Sequence, residues 1–91
     1  MTGADLIVLE RTKQIEKHKR TTKYDREHNE QEQLISAASG ILEEPLEWRQ
    51  VHKRPLSWNK TQWNKLCSKP LKERIIIAGA FLAAEYDRRN N

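Results

Sequence analysis

The chain has 91 residues, of which 36% are hydrophobic and 33% are charged, and its net charge is +4. This length predicts a single domain, 1–91, and excludes a two-domain enzyme, because chains divide into separate cores only beyond about 250 residues. A domain this small has a thin core, so we expect it to gain stability as a homo-oligomer, and its surplus of cations favours an anionic partner.

Cysteine content and hydropathy predict the compartment. Cys67 is the only cysteine, so the chain cannot form an internal disulfide, and nothing in it favours an oxidising compartment. The longest apolar run, 75–84, has about half the length of a membrane-spanning helix. The first residues lack a basic leader of the secretory type. We therefore expect a cytoplasmic protein with no membrane partner.

The first two predicted helices span 4–19 and 29–43. Val8, Thr12 and Ile15 form a narrow stripe at helical spacing, and the second half of this helix is cationic, facing solvent or a ligand. The second helix has a cleaner stripe, since apolar residues recur at spacings of three, one, three and one from Leu34 to Leu42. Asn29 is its predicted N-cap. The helix should stop by residue 44, because the residue before a proline is pushed out of helical geometry.

Residues 45–61 show no consistent period and include Trp48 and Trp58. We interpret them as a long ordered loop rich in tryptophan, or as such a loop with a short helical turn near 58–66. Structureless connections longer than about 15 residues tend to be functional or disordered, and tryptophans favour an ordered one. This loop therefore becomes the first place to look for a function.

The last predicted helix spans 70–89 and should be the most buried. Leu71, Ile75, Ala78 and Leu82 keep helical spacing, and Pro70 suits the first turn. A strand over 74–81 is the competing interpretation, but the alanine-rich continuation favours a helix. Gly79 would be tolerated where another backbone approaches closely. The predicted fold is all-α, a small three-helix domain with the Trp-rich loop between the second and third helices.

The positive charge is concentrated in residues 46–74. This segment has eight Lys or Arg residues against two Glu residues, a net charge of +6, so the rest of the chain is slightly acidic. Cations neutralise phosphates and indole rings stack on nucleobases. We therefore predict a ligand site with stacking residues and phosphate-binding residues. The candidates are Trp58 and Trp63 for stacking, and Arg54, Lys60, Lys69 and Arg74 for phosphate. Alternatively, the tryptophans close the core and the lysines only solvate a loop.

Catalytic and metal-binding interpretations are weaker. The spacing of His18, Asp25 and His28 matches no established metal signature. A buried, inert thiol fits Cys67 better than a nucleophile does. Small all-helical nucleotide pyrophosphohydrolases hold magnesium with paired carboxylates; Glu27 and Glu30 would make one pair, but Glu85 and Asp87 are only two residues apart. We expect no metal, cofactor or catalytic residue.

Acidic residues near the C-terminus have a structural interpretation instead. Either Glu85 or Asp87 of the last helix can pair with Arg11 or Lys13 of the first helix and fix an antiparallel register between the two helices. This is an expectation about packing and not about activity.

A motif in the last helix extends these expectations: Ala78-Gly79-Ala80-x-x-Ala83-Ala84-Glu85-x-Asp87-Arg88, preceded by Lys69-Pro70. Upstream are Glu10-Arg11, Gln14-Ile15, Asp25, the helix at 34–38 and the tryptophan pair, and Lys69-Pro70 leads to Arg74. From Glu10 to Arg88 the chain resembles a group of small phage and prophage proteins of uncharacterised function. The resemblance implies phage origin and an all-helical fold. The cytoplasm that we expect is then that of the host cell.

Small basic phage accessory proteins that lack catalytic signatures usually act by binding. The function we predict is therefore non-enzymatic binding of an anionic ligand, a nucleotide or a nucleotide-derived signal, which counters host defence. Two alternatives stay open: nucleic-acid binding by the same basic, Trp-bearing surface, and protein-protein inhibition of a host factor.

Overall fold

The structure is a computed structural model that describes residues 1–18, 23–24, 27, 33–43, 45–55 and 58–90. Within these residues it contains five helices and no strand. They are α1 (Gly3–His18), α2 (Gln33–Gly40), α3 (Leu46–His52), α4 (Lys60–Cys67) and α5 (Leu71–Asn90). The all-α class is confirmed. No helix of the described ranges is long and apolar enough to cross a membrane.

The two long helices match their predictions to within one residue at each end, so the strand over 74–81 is wrong. The middle helix ends earlier than the predicted residue 43. It stops at Gly40 and is followed by a turn in which the Leu42 N–H donates to the Ser39 carbonyl at 3.3 Å. The predicted cap at Asn29 lies outside the described residues.

The predicted loop over 45–61 is wrong for most of its length, because α3 fills its first half and α4 begins at Lys60. Asn59 caps α4 by accepting from the Gln62 N–H at 2.9 Å, which supports the helical turn suggested for this region. The seven residues of α3 show no apolar stripe that would predict a helix. Hydrogen bonds to other parts of the chain hold this helix instead. The Arg49 guanidinium donates from α3 to the Cys67 carbonyl at the end of α4, at 2.9 Å.

The core lies where α2 and α4 meet α5. The Trp58 ring packs edge-on against two rings, with centroids 6.1 Å from Trp63 and 5.3 Å from Phe81. The remaining buried apolar side chains of this cluster are Leu34, Ala37, Ala38, Ile41, Cys67, Ile77, Ala78 and Ala84. Trp58 and Trp63 therefore close the core over the helices, as the alternative interpretation of the sequence proposed, whereas Trp48 is exposed.

Helix α1 packs on α5 at the glycine predicted to allow a close approach. A Cβ added to Gly79 would lie 2.5 Å from Cδ1 of Ile7, so a side chain of α1, and not its backbone, fills the space above the glycine. Further along, Arg11 Nη2 lies 3.8 Å from Asp87 Oδ2, which confirms the predicted ion pair between the first and last helices. These contacts hold α1 beside a groove that its residues help to line.

Candidate functional site

A groove of about 820 Å³ lies between α1, α4 and the first half of α5. Ligand pockets typically enclose about 300–1,000 Å³, so the groove has room for a small molecule. Its floor is apolar, because Leu9, Leu66, Ile76 and Phe81 all line it. An apolar floor accepts a flat or aliphatic group by removing its surface from water.

One face of α1 forms a wall of this groove. Leu6, Leu9, Glu10, Lys13 and Gln14 line it, and their spacings of three, one, three and one place them on one side of a helix. The sequence predicted that the second half of this helix faces solvent or a ligand. The structure places Lys13, from this half of the helix, in the wall of the groove.

Lysines surround the groove. Lys13 comes from α1, Lys65 from α4, Lys69 from the connection that follows α4, and Lys72 from α5, and all four line the groove. Two carboxylates, Glu10 and Glu73, line it as well. Lys69 Nζ lies 3.9 Å from Glu73 Oε2, which leaves the cations in excess around the opening. An apolar floor with a cationic margin suits a ligand that carries an apolar ring and an anionic group.

The six residues predicted to bind a ligand do not share one surface. Trp58, Trp63 and Lys69 line the groove. Trp63 is only 1% exposed, and its indole N–H donates to the Arg49 carbonyl at 2.9 Å. Trp58 is 8% exposed. The stacking role predicted for these rings must therefore be corrected. Both indoles fill the core, so their faces are not open to a ligand.

The other three predicted residues do not line the groove. Arg74 is buried, and its guanidinium donates to the carbonyls of Lys69 and Ile41 at 2.9 and 2.8 Å. It satisfies backbone acceptors rather than phosphate. Arg54 donates to the Trp58 carbonyl at 2.6 Å. Lys60 is exposed in the first turn of α4.

Cys67 is fully buried at the end of α4, as predicted for an inert thiol. Burial raises the pKa of this thiol, and the nearby Arg49 and Arg74 guanidinium groups offset only part of that effect. The reactive species of cysteine is the thiolate, so the environment disfavours nucleophilic chemistry at Cys67.

Among the described side chains, no group of three or more His, Cys, Asp or Glu residues is arranged to hold a metal ion. Asp25, His28 and Glu30 lie outside the described residues, as does the side chain of His18. Their predicted exclusion as metal ligands therefore stays a prediction.

The groove contains functional candidates that the sequence did not identify. Gln14 is one, and the lysines at 65 and 72 were counted only as part of the basic segment. Their spacing along the chain was no usable signal, because Lys65 and Lys72 lie on different helices that are separated by the connection 68–70. The contribution of α1 depends on tertiary packing, which no local pattern encodes.

Comparison with known proteins adds no relative: no family model, no curated protein and no solved structure matches the chain.

Proposed function

We propose that this chain is a non-enzymatic phage accessory protein that captures a small anionic ligand, a nucleotide or a nucleotide-derived signal, and thereby counters host defence. The groove carries the ligand-binding part of this proposal, because it joins an apolar floor to a margin of four lysines. The phage origin and the role against host defence are supported by the resemblance described above.

The structure changes which residues we assign to the ligand. The base would lie on the floor, against Leu66 and Ile76, and the phosphate would lie near Lys65, Lys69 and Lys72. Trp58 supports the floor from the core side. Arg74 and Trp63 have no role in direct contact with the ligand, because backbone groups and the core already engage them.

The test measures the affinity of purified protein for nucleoside mono- and triphosphates, cyclic nucleotides and a short single-stranded DNA by calorimetry over a series of salt concentrations. We expect a nucleotide to bind with a shallow salt dependence, since few phosphates are engaged. A steep slope with DNA binding tightest would instead favour nucleic-acid binding. Binding of none of these ligands would overturn the proposal in favour of protein-protein inhibition.

A matched pair of variants locates the site. Lys65→Gln with Lys72→Gln removes two cations from the groove margin, whereas Lys17→Gln with Lys60→Gln removes the same charge from exposed positions outside it. We expect the first pair to weaken nucleotide binding about tenfold or more, as lost contacts to a charged group do. The second pair should change it less than about threefold. Equal effects of the two pairs would mean that only net charge matters.

A further inference from the structure

The corner between α4 and α5 holds four of the six described charged residues that line the groove. Lys65 lies in the last turn of α4, Lys69 in the connection that follows, and Lys72 and Glu73 in the first turn of α5. The connection is tight, because the Lys69 N–H donates to the Leu66 carbonyl at 3.2 Å. Three cations and one carboxylate therefore line the groove at this corner, which gives the corner a net charge of +2.

Only part of this charge is compensated within the protein. Lys69 Nζ lies 3.9 Å from Glu73 Oε2, so these two side chains form one ion pair. Lys65 and Lys72 have no ion-pair partner among the described residues. Both of these lysines are exposed and line the groove, so a ligand in the groove can reach them. Two cations at the corner are therefore left without a counter-charge until an anion binds.

We propose that the groove takes a nucleotide that ends in a phosphate monoester and discriminates against a phosphodiester. This inference rests on the proposed function and specifies its ligand. A monoester has a charge of about −1.5 to −2 at pH 7, which matches the two uncompensated ammonium groups. A diester has one negative charge, as each phosphate of a nucleic acid does, so it leaves one of these lysines without a counter-charge. The corner therefore binds the two classes of phosphate with different affinities.

The charge match is tested with pairs of ligands that differ by one charge. The 5′-monophosphates of adenosine, guanosine, cytidine and uridine are each compared with their methyl phosphate ester, which keeps the base and the sugar. We expect calorimetry at pH 7.5 to show at least about tenfold tighter binding of the monophosphate, because the ester gives up one contact between charged groups. Equal affinities, or tighter binding of the ester, would overturn this inference and leave the proposed function standing. Binding of neither kind of compound would overturn the inference, and the proposed function falls with it only if cyclic nucleotides and triphosphates also fail to bind.

A pH series separates the charge of the phosphate from its shape. The second pKa of a phosphate monoester is about 6, so at pH 5 most of the monophosphate has the single charge of its ester. We expect the preference to fall from at least about tenfold at pH 7.5 to about twofold at pH 5. The titratable side chains described in the groove are the four of the corner with Glu10 and Lys13 of α1, and none is a histidine, the residue type that changes charge in this range. A preference that is unchanged at pH 5 would mean that shape excludes the methyl group, and it would overturn the inference.

Two variants of the corner should act in opposite directions. Glu73→Gln releases Lys69 from its ion pair, so we expect monophosphate to bind about threefold tighter or more. Lys72→Gln removes an uncompensated cation, so the preference for monophosphate over ester should fall to within about threefold. The matched controls are Glu47→Gln and Lys60→Gln, at positions outside the groove, and they should change either affinity less than about twofold. All four positions are exposed, where substitutions rarely disturb folding. Weaker binding in Glu73→Gln, or a full preference in Lys72→Gln, would overturn the assignment to this corner.

Discussion

At the scale of single residues, two buried arginines, Arg49 and Arg74, bind backbone carbonyls, although Arg74 was predicted to bind a ligand. Arg49 donates to the carbonyls of Glu43 and Cys67, and Arg74 donates to those of Ile41 and Lys69. These acceptors lie just beyond α2 and at the end of α4, where helices leave carbonyls without intrahelical partners. A short chain of short helices has many such ends, so buried guanidinium groups with several donors stabilise it effectively.

Glu85 is a second buried charge, 4% exposed, and it accepts from two arginines of its own helix. The Arg88 guanidinium donates to both of its oxygens, at 2.7 and 2.8 Å, and Arg89 donates as well. The bond from Arg88 is the largest cause that lowers the pKa of this carboxyl below its usual 4.5, against an opposing effect of burial. The group therefore stabilises the fold above about pH 4.5, and this contribution is lost as the pH falls through the folded-state pKa.

Glu85→Gln tests this pH dependence. We expect the variant to lose about 1–3 kcal/mol of unfolding free energy at pH 7. The amide oxygen of glutamine is a weaker acceptor for a guanidinium N–H than a carboxylate oxygen is. The gap to the parent chain should narrow as the pH falls below about 4.5, because the carboxyl of the unfolded chain then takes up a proton, and it should close once the pH is below the lowered pKa of the folded state. Urea unfolding across pH 3–7 measures the difference in unfolding free energy between variant and parent. The control is Glu73→Gln, a substitution of an exposed glutamate on the same helix. A gap that is constant with pH would contradict the assignment.

At the scale of helices, two glycines allow close packing for different reasons. A Cβ at Gly40 would lie 2.8 Å from Cβ and 3.1 Å from the carbonyl oxygen of Lys53, so the backbone after α3 would have to move. A Cβ at Gly79 would meet only the side chain of Ile7, which can change its rotamer. The first contact fixes α3 against the end of α2, and the second is adjustable.

Alanine at each glycine should reveal this difference. We expect Gly40→Ala to lower the unfolding free energy by about 1–3 kcal/mol, as overpacking against backbone does. For Gly79→Ala the cost should be smaller, because alanine favours an interior helical position by up to about 1 kcal/mol and offsets part of the contact. Urea unfolding of both variants under one condition gives the comparison. Equal losses would mean that both contacts are rigid.

The helices differ in how well the sequence predicts them. The sixteen residues of α1 and the twenty of α5 carry enough periodic positions to predict their ends closely. By contrast, the seven residues of α3 depend on Arg49, whose partner Cys67 is eighteen positions away. A pattern read along the chain cannot contain such a contact, because the stabilising group and its acceptor are joined only by the fold.

At the scale of the whole molecule, the candidate site was only partly predictable. The basic segment 46–74 predicted a cationic surface, and Lys69 does lie at the groove. The sequence could not separate indoles that stack on a ligand from indoles that fill a core, because both uses need the same ring. It also could not place α1 over α4, so Gln14 and Lys13 were not identified as neighbours of the lysines at 65 and 72.

The outer face of α5 is where we expect the predicted homo-oligomer to form. Leu71, Ile75, Leu82 and Tyr86 follow one another at spacings of four, seven and four, and they are 50%, 49%, 52% and 67% exposed. These spacings place all four on one stripe of the helix. None of them lines the groove, so a second copy packed here would leave the ligand site open. A stripe on a single helix can pair with its own copy about a two-fold axis.

Ile75→Lys combined with Leu82→Lys should convert the assembly to a monomer, because two cations in each copy would have to be desolvated and brought together. Light scattering after size-exclusion chromatography measures the mass of the assembly. The control is Val51→Lys, which places a lysine at an apolar residue of α3 that is 72% exposed and lies outside the stripe. Nucleotide affinity should stay within about twofold in the monomer, since groove and stripe are separate surfaces. A parent chain that is monomeric at every concentration would contradict the oligomer, and a monomeric variant that binds no nucleotide would show that the groove needs the second copy.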